Sequence, residues 1–130
     1  MATDLERLTI EIRKLNTAKG WRFSEPGCGN RDGYQFAAYI ALAHSELSEA
    51  LDAYRNKVWS DTIGAGIPAD DKARDASKIG KPVGVGPELA DVFIRVQDMC
   101  DIWGIDLEYE VKRVLAYGWT RPYRHGGRQL

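Results

Sequence analysis

The sequence predicts an all-α fold of four helices, on two observations. Apolar residues recur at helical spacing in four separate stretches, and no stretch shows the strict alternation of a half-buried strand. Size is the third guide. A chain of 130 residues with 44% hydrophobic content is one domain's worth over 1–130, able to bury a modest core without staples.

The first helix is expected over about 3–19. Thr3 or Asp4 can cap it, Leu5, Leu8, Ile12 and Leu15 form its apolar stripe, and Gly20 ends it. The Gly-rich connector GWRFSEPGCGNRDG follows, after which Asp32 can cap a second helix over 32–55. Phe36, Ile40, Leu47, Leu51 and Tyr54 form its stripe, and alanines at 37, 38, 41, 43, 50 and 53 permit close helix approach. From 56 to 85 the pattern breaks. Glycines at 64, 66, 80 and 84, prolines at 68 and 82 and the charged run ADDKARDASK read as a loop, with room for one short helix over 70–78.

The third helix is expected over 87–103, with Gly86 near its cap and Pro87 in the first turn, where a missing N–H costs nothing. Leu89, Val92, Phe93, Val96, Met99, Cys100 and Trp103 give it the strongest helical period in the chain, a stripe expected to be core. Gly104 closes it. Asp106 can cap a fourth helix over 106–117, whose apolar face is Leu107, Val111, Val114 and Leu115. A basic, aromatic tail, GWTRPYRHGGRQL, occupies 118–130.

Charge and cysteine usage narrow the function classes. A formal net charge of -1 gives no general attraction to nucleic acid or to an anionic membrane, so useful charge must be local. Cys28 and Cys100 have neither the spacing of a zinc site nor the density of a disulfide scaffold, which suits a reduced compartment. The segment MATDLERLTIEIRK lacks an apolar signal core, and no apolar run approaches the roughly 20 residues of a membrane span. A soluble, cytoplasmic protein is expected.

Two acidic pairs stand out against this background. Glu46 and Glu49 in HSELSEALDAYR are three apart, as are Glu88 and Asp91 in GPELADVFIRVQD. Residues three apart share a helix face, so each pair can aim two carboxylates at one point. A single such pair is common on solvated faces. Two pairs on consecutive long helices, each flanking an apolar stripe, suit a hard cation. Mg²⁺ takes oxygen ligands, keeps several waters and commonly binds through a few carboxylates together with substrate phosphates. A carboxylate left free of the metal can orient or deprotonate an attacking water.

Other signals are weaker. Gly80 and Lys81 hint at a phosphate loop, but Pro82 stands at the hydroxyl position and no strand is expected before it. His44 reads as a packed or solvent-bridging histidine rather than a ligand. Trp103 belongs to the core stripe, whereas Trp21, Trp59 and Trp119 are candidates for stacking on a base.

HSELSEALDAYR, then ELADVFIRVQDMCDIWGIDLEYEV, then the RPYRHGGR tail, together resemble the MazG-like branch of the all-α nucleoside triphosphate pyrophosphohydrolases, over about 32–128. The resemblance implies a four-helix, MazG-like bundle completed by assembly into a homodimer or homotetramer. It also implies Mg²⁺-dependent (or Mn²⁺-dependent) cleavage of a nucleoside triphosphate between its α and β phosphates, giving the monophosphate and pyrophosphate. It carries metal binding to Glu46, Glu49, Glu88 and Asp91, with Glu46 and Glu49 also catalytic. Three departures accompany it. Ser45 precedes Glu46 where the family often doubles the acid, the interval 50–87 is long, and Val114, Gly118 and Arg121 stand where the family often has Lys, Asn and Arg. Only Arg121 keeps the pattern. Lys112 and Arg113 are candidate replacements for the lost lysine, each turned by its shift along the helix, and Arg121, Arg124, His125 and Arg128 form a tail without an acid, suited to polyphosphate. The alternative function is a helical nucleotide-binding or oligomeric interaction protein that keeps the acids but has lost turnover.

Overall fold

The computed structural model describes 1–22, 24–30, 33–63, 80–127 and 129, with backbone alone at 62, 63 and 125. The chain is α1 (Asp4–Ala18), α2 (Tyr34–Arg55), β1 (Asp61–Ile63), β2 (Lys81–Val83), α3 (Val85–Trp103), α4 (Leu107–Thr120) and α5 (Arg124–Gly127). Four long helices carry the architecture, which is all-α in class. No described helix is long and apolar enough to cross a membrane.

The expectation of no strand is overturned at one place: β1 and β2 pair antiparallel as a two-stranded ribbon, with Asp61 opposite Val83, Thr62 opposite Pro82 and Ile63 opposite Lys81. Pro82 disguised it in the sequence, since proline cannot donate to a ladder and is tolerated only on an edge. In a two-stranded ribbon every strand is an edge. The short helix suggested over 70–78 lies outside the described residues, as does Asp32; the residue capping α2 is Gly33. α3 starts two residues before the expected 87, and α4 runs on to Thr120 rather than 117. Gly118 therefore sits inside a helix, with open space around the missing side chain. Glycine permits a helix end but does not compel one.

The chain divides into two compact units. The first comprises Met1–Gly29 and Cys100–Leu130, the second Asn30–Met99, so α3 contributes residues to both. In the first unit Thr3 and Glu6 close a reciprocal capping box on α1, Thr3 Oγ1 accepting from the Glu6 N–H at 3.2 Å and Glu6 Oε2 from the Thr3 N–H at 2.7 Å. Asp106 caps α4 by accepting the Tyr109 N–H at 2.9 Å. Ile12, Cys100, Ile102 and Trp103 form its buried apolar residues. The connector crosses this core closely: a Cβ on Gly29 would lie 2.6 Å from the Trp103 indole, so only glycine fits there without a shift.

The second unit buries Ala50 and Met99 beside three polar side chains, Glu46, Gln97 and Asp98. The α3 stripe is core only in its later half. Met99, Cys100 and Trp103 are buried, but Leu89 and Phe93 are 48% and 40% exposed. α4 departs further from expectation, for it buries no residue at all: Val111, Val114 and Leu115 of its apolar face are exposed.

Candidate active site

The second unit brings three of the four expected acids together, and Asp91 stands outside that group. Glu46 and Glu49 project from one face of α2, and Glu88 from the first turn of α3. Oxygens of these three carboxylates lie within 4.8 Å of one another. Glu46 is the buried member, 8% exposed, while Glu88 is half-buried and Glu49 is exposed.

Backbone chemistry fixes Glu88 in place. The free N–H groups at a helix start need partners, and each is accounted for in α3. Val85 N–H donates to the Val58 carbonyl at 2.9 Å, Gly86 N–H to the Trp59 carbonyl at 2.8 Å, Pro87 has none, and Glu88 N–H donates to the Gly84 carbonyl at 3.1 Å. Gly84 has φ +116°, and a Cβ on it would meet the Trp59 and Val58 backbone at 2.9 Å. The segment after α2 thus holds the start of α3 directly, and with it the third carboxylate. Beside the acids is an open depression of about 260 Å³ lined by Glu49, Glu88, Asp52, Ala53, Asn56, Val58, Val83 and Gly84.

Electrostatics at the cluster are those of crowded like charges. Burial pushes the Glu88 carboxyl above its ordinary value, and the charges of Glu49, Asp91 and Glu46 push the same way against Lys81. Burial likewise raises the Asp91 carboxyl, with Glu46 adding to it and Arg95 and Lys81 opposing. A helix N-terminus favours a carboxylate, yet at Glu88 the upward causes win. Two unit charges 4.8 Å apart repel by on the order of 3 kcal/mol at an effective dielectric near 20, before screening by water and salt.

The donor set fits a hard divalent cation. Mg²⁺ holds oxygens at about 2.0–2.1 Å, so two ligands on opposite sides lie about 4.2 Å apart. Ligands on adjacent octahedral positions lie about 2.9 Å apart, so carboxylates already within 4.8 Å of one another must close further by small side-chain adjustments to share one ion.

Two cations at the site were missed by sequence reasoning. Arg95 Nε donates to Glu46 Oε1 at 2.6 Å, and Lys81 of β2 acts on both Glu88 and Asp91. Arg95 was findable, since positions 88, 91 and 95 follow i, i+3, i+7 on one helix face. Lys81 was not, because only the ribbon pairing brings it there.

Of the candidate phosphate-binding residues, Lys112, Arg121 and Arg124 lie in the first unit, each with a local partner. Lys112 Nζ donates to Glu108 Oε1 at 2.6 Å, and that pairing raises the Lys112 ammonium and lowers the Glu108 carboxyl. The Arg121 guanidinium lies 5.6 Å from the Tyr117 ring centre, and that of Arg124 lies 5.5 Å from the Tyr123 ring centre. His125 falls in the α5 turn, and its side chain and Arg128 lie outside the described residues. His44 is exposed on α2. Of the tryptophans, Trp103 is 2% exposed, Trp21 and Trp119 are exposed, and Trp59 meets Tyr54 edge to face at 5.8 Å between ring centres.

No protein-family model matches the chain, and no curated protein or solved structure does.

Proposed function

We propose that the protein is an Mg²⁺-dependent nucleoside triphosphate pyrophosphohydrolase that releases the nucleoside monophosphate and pyrophosphate. The observation that carries this reading is the approach of Glu46, Glu49 and Glu88 to within 4.8 Å of one another, with Asp91 in electrostatic reach. The order of motifs resembling the MazG-like enzymes supplies the reaction class. Glu46, Glu49, Glu88 and Asp91 would hold the cation, which when bound supplies charge neutralisation for the phosphates and polarises the scissile phosphorus–oxygen bond. Glu49, the most exposed of the three clustered acids, is the one best placed to accept a proton from an attacking water. Glu46, buried and tied to Arg95, anchors the arrangement.

Incubating the purified chain with Mg²⁺ and a panel of nucleoside triphosphates, scored for pyrophosphate, tests the proposal. Release of pyrophosphate that chelation stops supports it. Nucleotide binding without turnover would favour a second reading, a binding or interaction protein, for which the Lys112–Glu108 pair and the residues Val114 and Gly118 speak.

Self-association belongs to the same reading. The apolar face of α4 is exposed from Val111 onward, with Val114 at 67% and Leu115 at 59%, and apolar surface of this kind marks an interaction face. Sedimentation at micromolar concentration should give a dimer or tetramer. A species of only 14.6 kDa would refute assembly.

A further inference from the structure

A triphosphate brings more negative charge to a site that already holds four acids, so some cation of the protein must meet it. Four basic side chains of the first unit are engaged locally: Lys112 with Glu108, Arg113 with Glu110, Arg121 against Tyr117 and Arg124 against Tyr123. Arg95 is placed differently. It uses Nε alone to hold Glu46 Oε1, and no described residue bonds its two Nη amines. Its side chain is 38% exposed, and its charge is felt at Asp91.

A guanidinium has five N–H donors in a rigid fork suited to phosphate oxygens. One edge anchored on a buried carboxylate leaves the remaining donors oriented without further ordering cost. We propose that Arg95 is a phosphate-contacting residue of this site, its Nε tethered by Glu46 and its Nη amines offered to the polyphosphate of the incoming nucleotide. This inference rests on the reading of the acids as a metal-assisted triphosphate site. It gives the tether two functions: it neutralises Glu46 in the free protein, and it aims a fork that a freely rotating arginine would not aim.

The test uses Arg95→Gln, which retains a side-chain donor for Glu46, and Arg95→Lys, which retains the charge without the fork. Mn²⁺ affinity is measured on the nucleotide-free protein, and inorganic tripolyphosphate affinity by calorimetry at saturating Mg²⁺. Arg95→Gln should bind Mn²⁺ within about threefold of the parent but tripolyphosphate at least tenfold more weakly, a charge-assisted pair lost. Arg95→Lys should recover part of that loss. Unchanged tripolyphosphate affinity in Arg95→Gln overturns the proposal, as does an equal fall in both affinities, which would show that Arg95 acts only on Glu46. If Arg95→Gln does not fold, Arg95→Lys decides alone: a loss of threefold or more at unchanged Mn²⁺ affinity supports the fork, and parent-like binding overturns it. Neither measurement needs turnover, so absence of pyrophosphate release from the parent would sink the hydrolase reading without deciding the role of Arg95.

Discussion

The molecule contains two carboxylate centres of opposite design. In the first unit a single acid, Asp101, meets two arginines: Arg13 through Nε–Oδ2 at 2.9 Å and Nη2–Oδ1 at 2.8 Å, and Arg22 through Nη1–Oδ2 at 2.6 Å. In the second, four acids share Arg95 and Lys81. Burial pushes the Asp101 carboxyl up, but the hydrogen bonds and charges of Arg13 and Arg22 outweigh it, and the net shift is downward. At Glu88 and Asp91 burial is joined by like charge, and the net shift is upward. The first centre supplies its own counter-charge to its carboxylate. The other has an excess of negative charge that a proton or a bound cation relieves, and such unrelieved sites are where function is sought.

The largest effect should come from breaking the complete centre. The Arg22 side chain is 2% exposed, so Asp101→Ala would leave a buried guanidinium without this carboxylate. Removing one partner of a buried pair costs about 3–5 kcal/mol. Chemical denaturation should show a loss of that order, while the Mn²⁺ affinity of the folded fraction stays close to the parent's. A loss below about 1 kcal/mol would show that Asp101 is no staple, and the contrast between the centres would fail.

The helical class, the α1 and α4 caps, Gly104 and the acidic pairs were legible in the sequence because each is a local signal: a period, a capping residue, a spacing of three. Gly104 shows how local, with φ +67° and the Ile105 N–H donating back to the Cys100 carbonyl at 2.8 Å. What stayed hidden depends on residues far apart in the chain. Nothing near Arg22 announces that it closes on Asp101, and nothing near Lys81 announces the acids. The apolar stripes misled in a different way. Helical period marks a face that wants cover, but the period of α4 does not say what covers it, and the fold leaves Val114 and Leu115 exposed.

Relieving the incomplete centre should give the next largest effect, with the opposite sign. A ligand that binds only the folded state stabilises it by mass action, by about 2.7 kcal/mol at a hundredfold excess over its dissociation constant. Mg²⁺ or Mn²⁺ should therefore raise the melting temperature of the parent, and Glu49→Gln combined with Asp91→Asn should abolish the response. The Asp101→Ala variant should retain it. A metal-induced shift that survives in the double variant would place the cation elsewhere and remove the basis for distinguishing the two centres.

The smallest effect, and the sharpest discriminator, is the pH dependence of the metal-free protein. Glu88 and Asp91 have folded values above the ordinary 4.5 and 3.8, so the folded state holds their protons more tightly than the unfolded chain does. Their contribution to stability is complete below those ordinary values and is lost as pH rises through the raised ones. Asp101 runs the other way: its contribution is present above 3.8 and is lost as pH falls through its lowered value. Acidification from neutrality toward about pH 4.5 should thus relieve the acidic cluster while leaving the Asp101 centre intact. Because Asp91 and Glu49 are exposed and screened, the gain at the cluster should stay below about 1 kcal/mol. Glu88→Gln mimics the protonated acid. It should stabilise the metal-free protein at pH 7 by a similar small amount, flatten the profile above pH 4.5, and leave the fall at lower pH unchanged. Denaturation midpoints of parent and variant across that range would measure the difference directly. If Glu88→Gln instead destabilised the metal-free protein at pH 7, the Glu88 carboxylate would be compensated within the fold, as Asp101 is, and the cluster would have no unrelieved charge for a cation to neutralise.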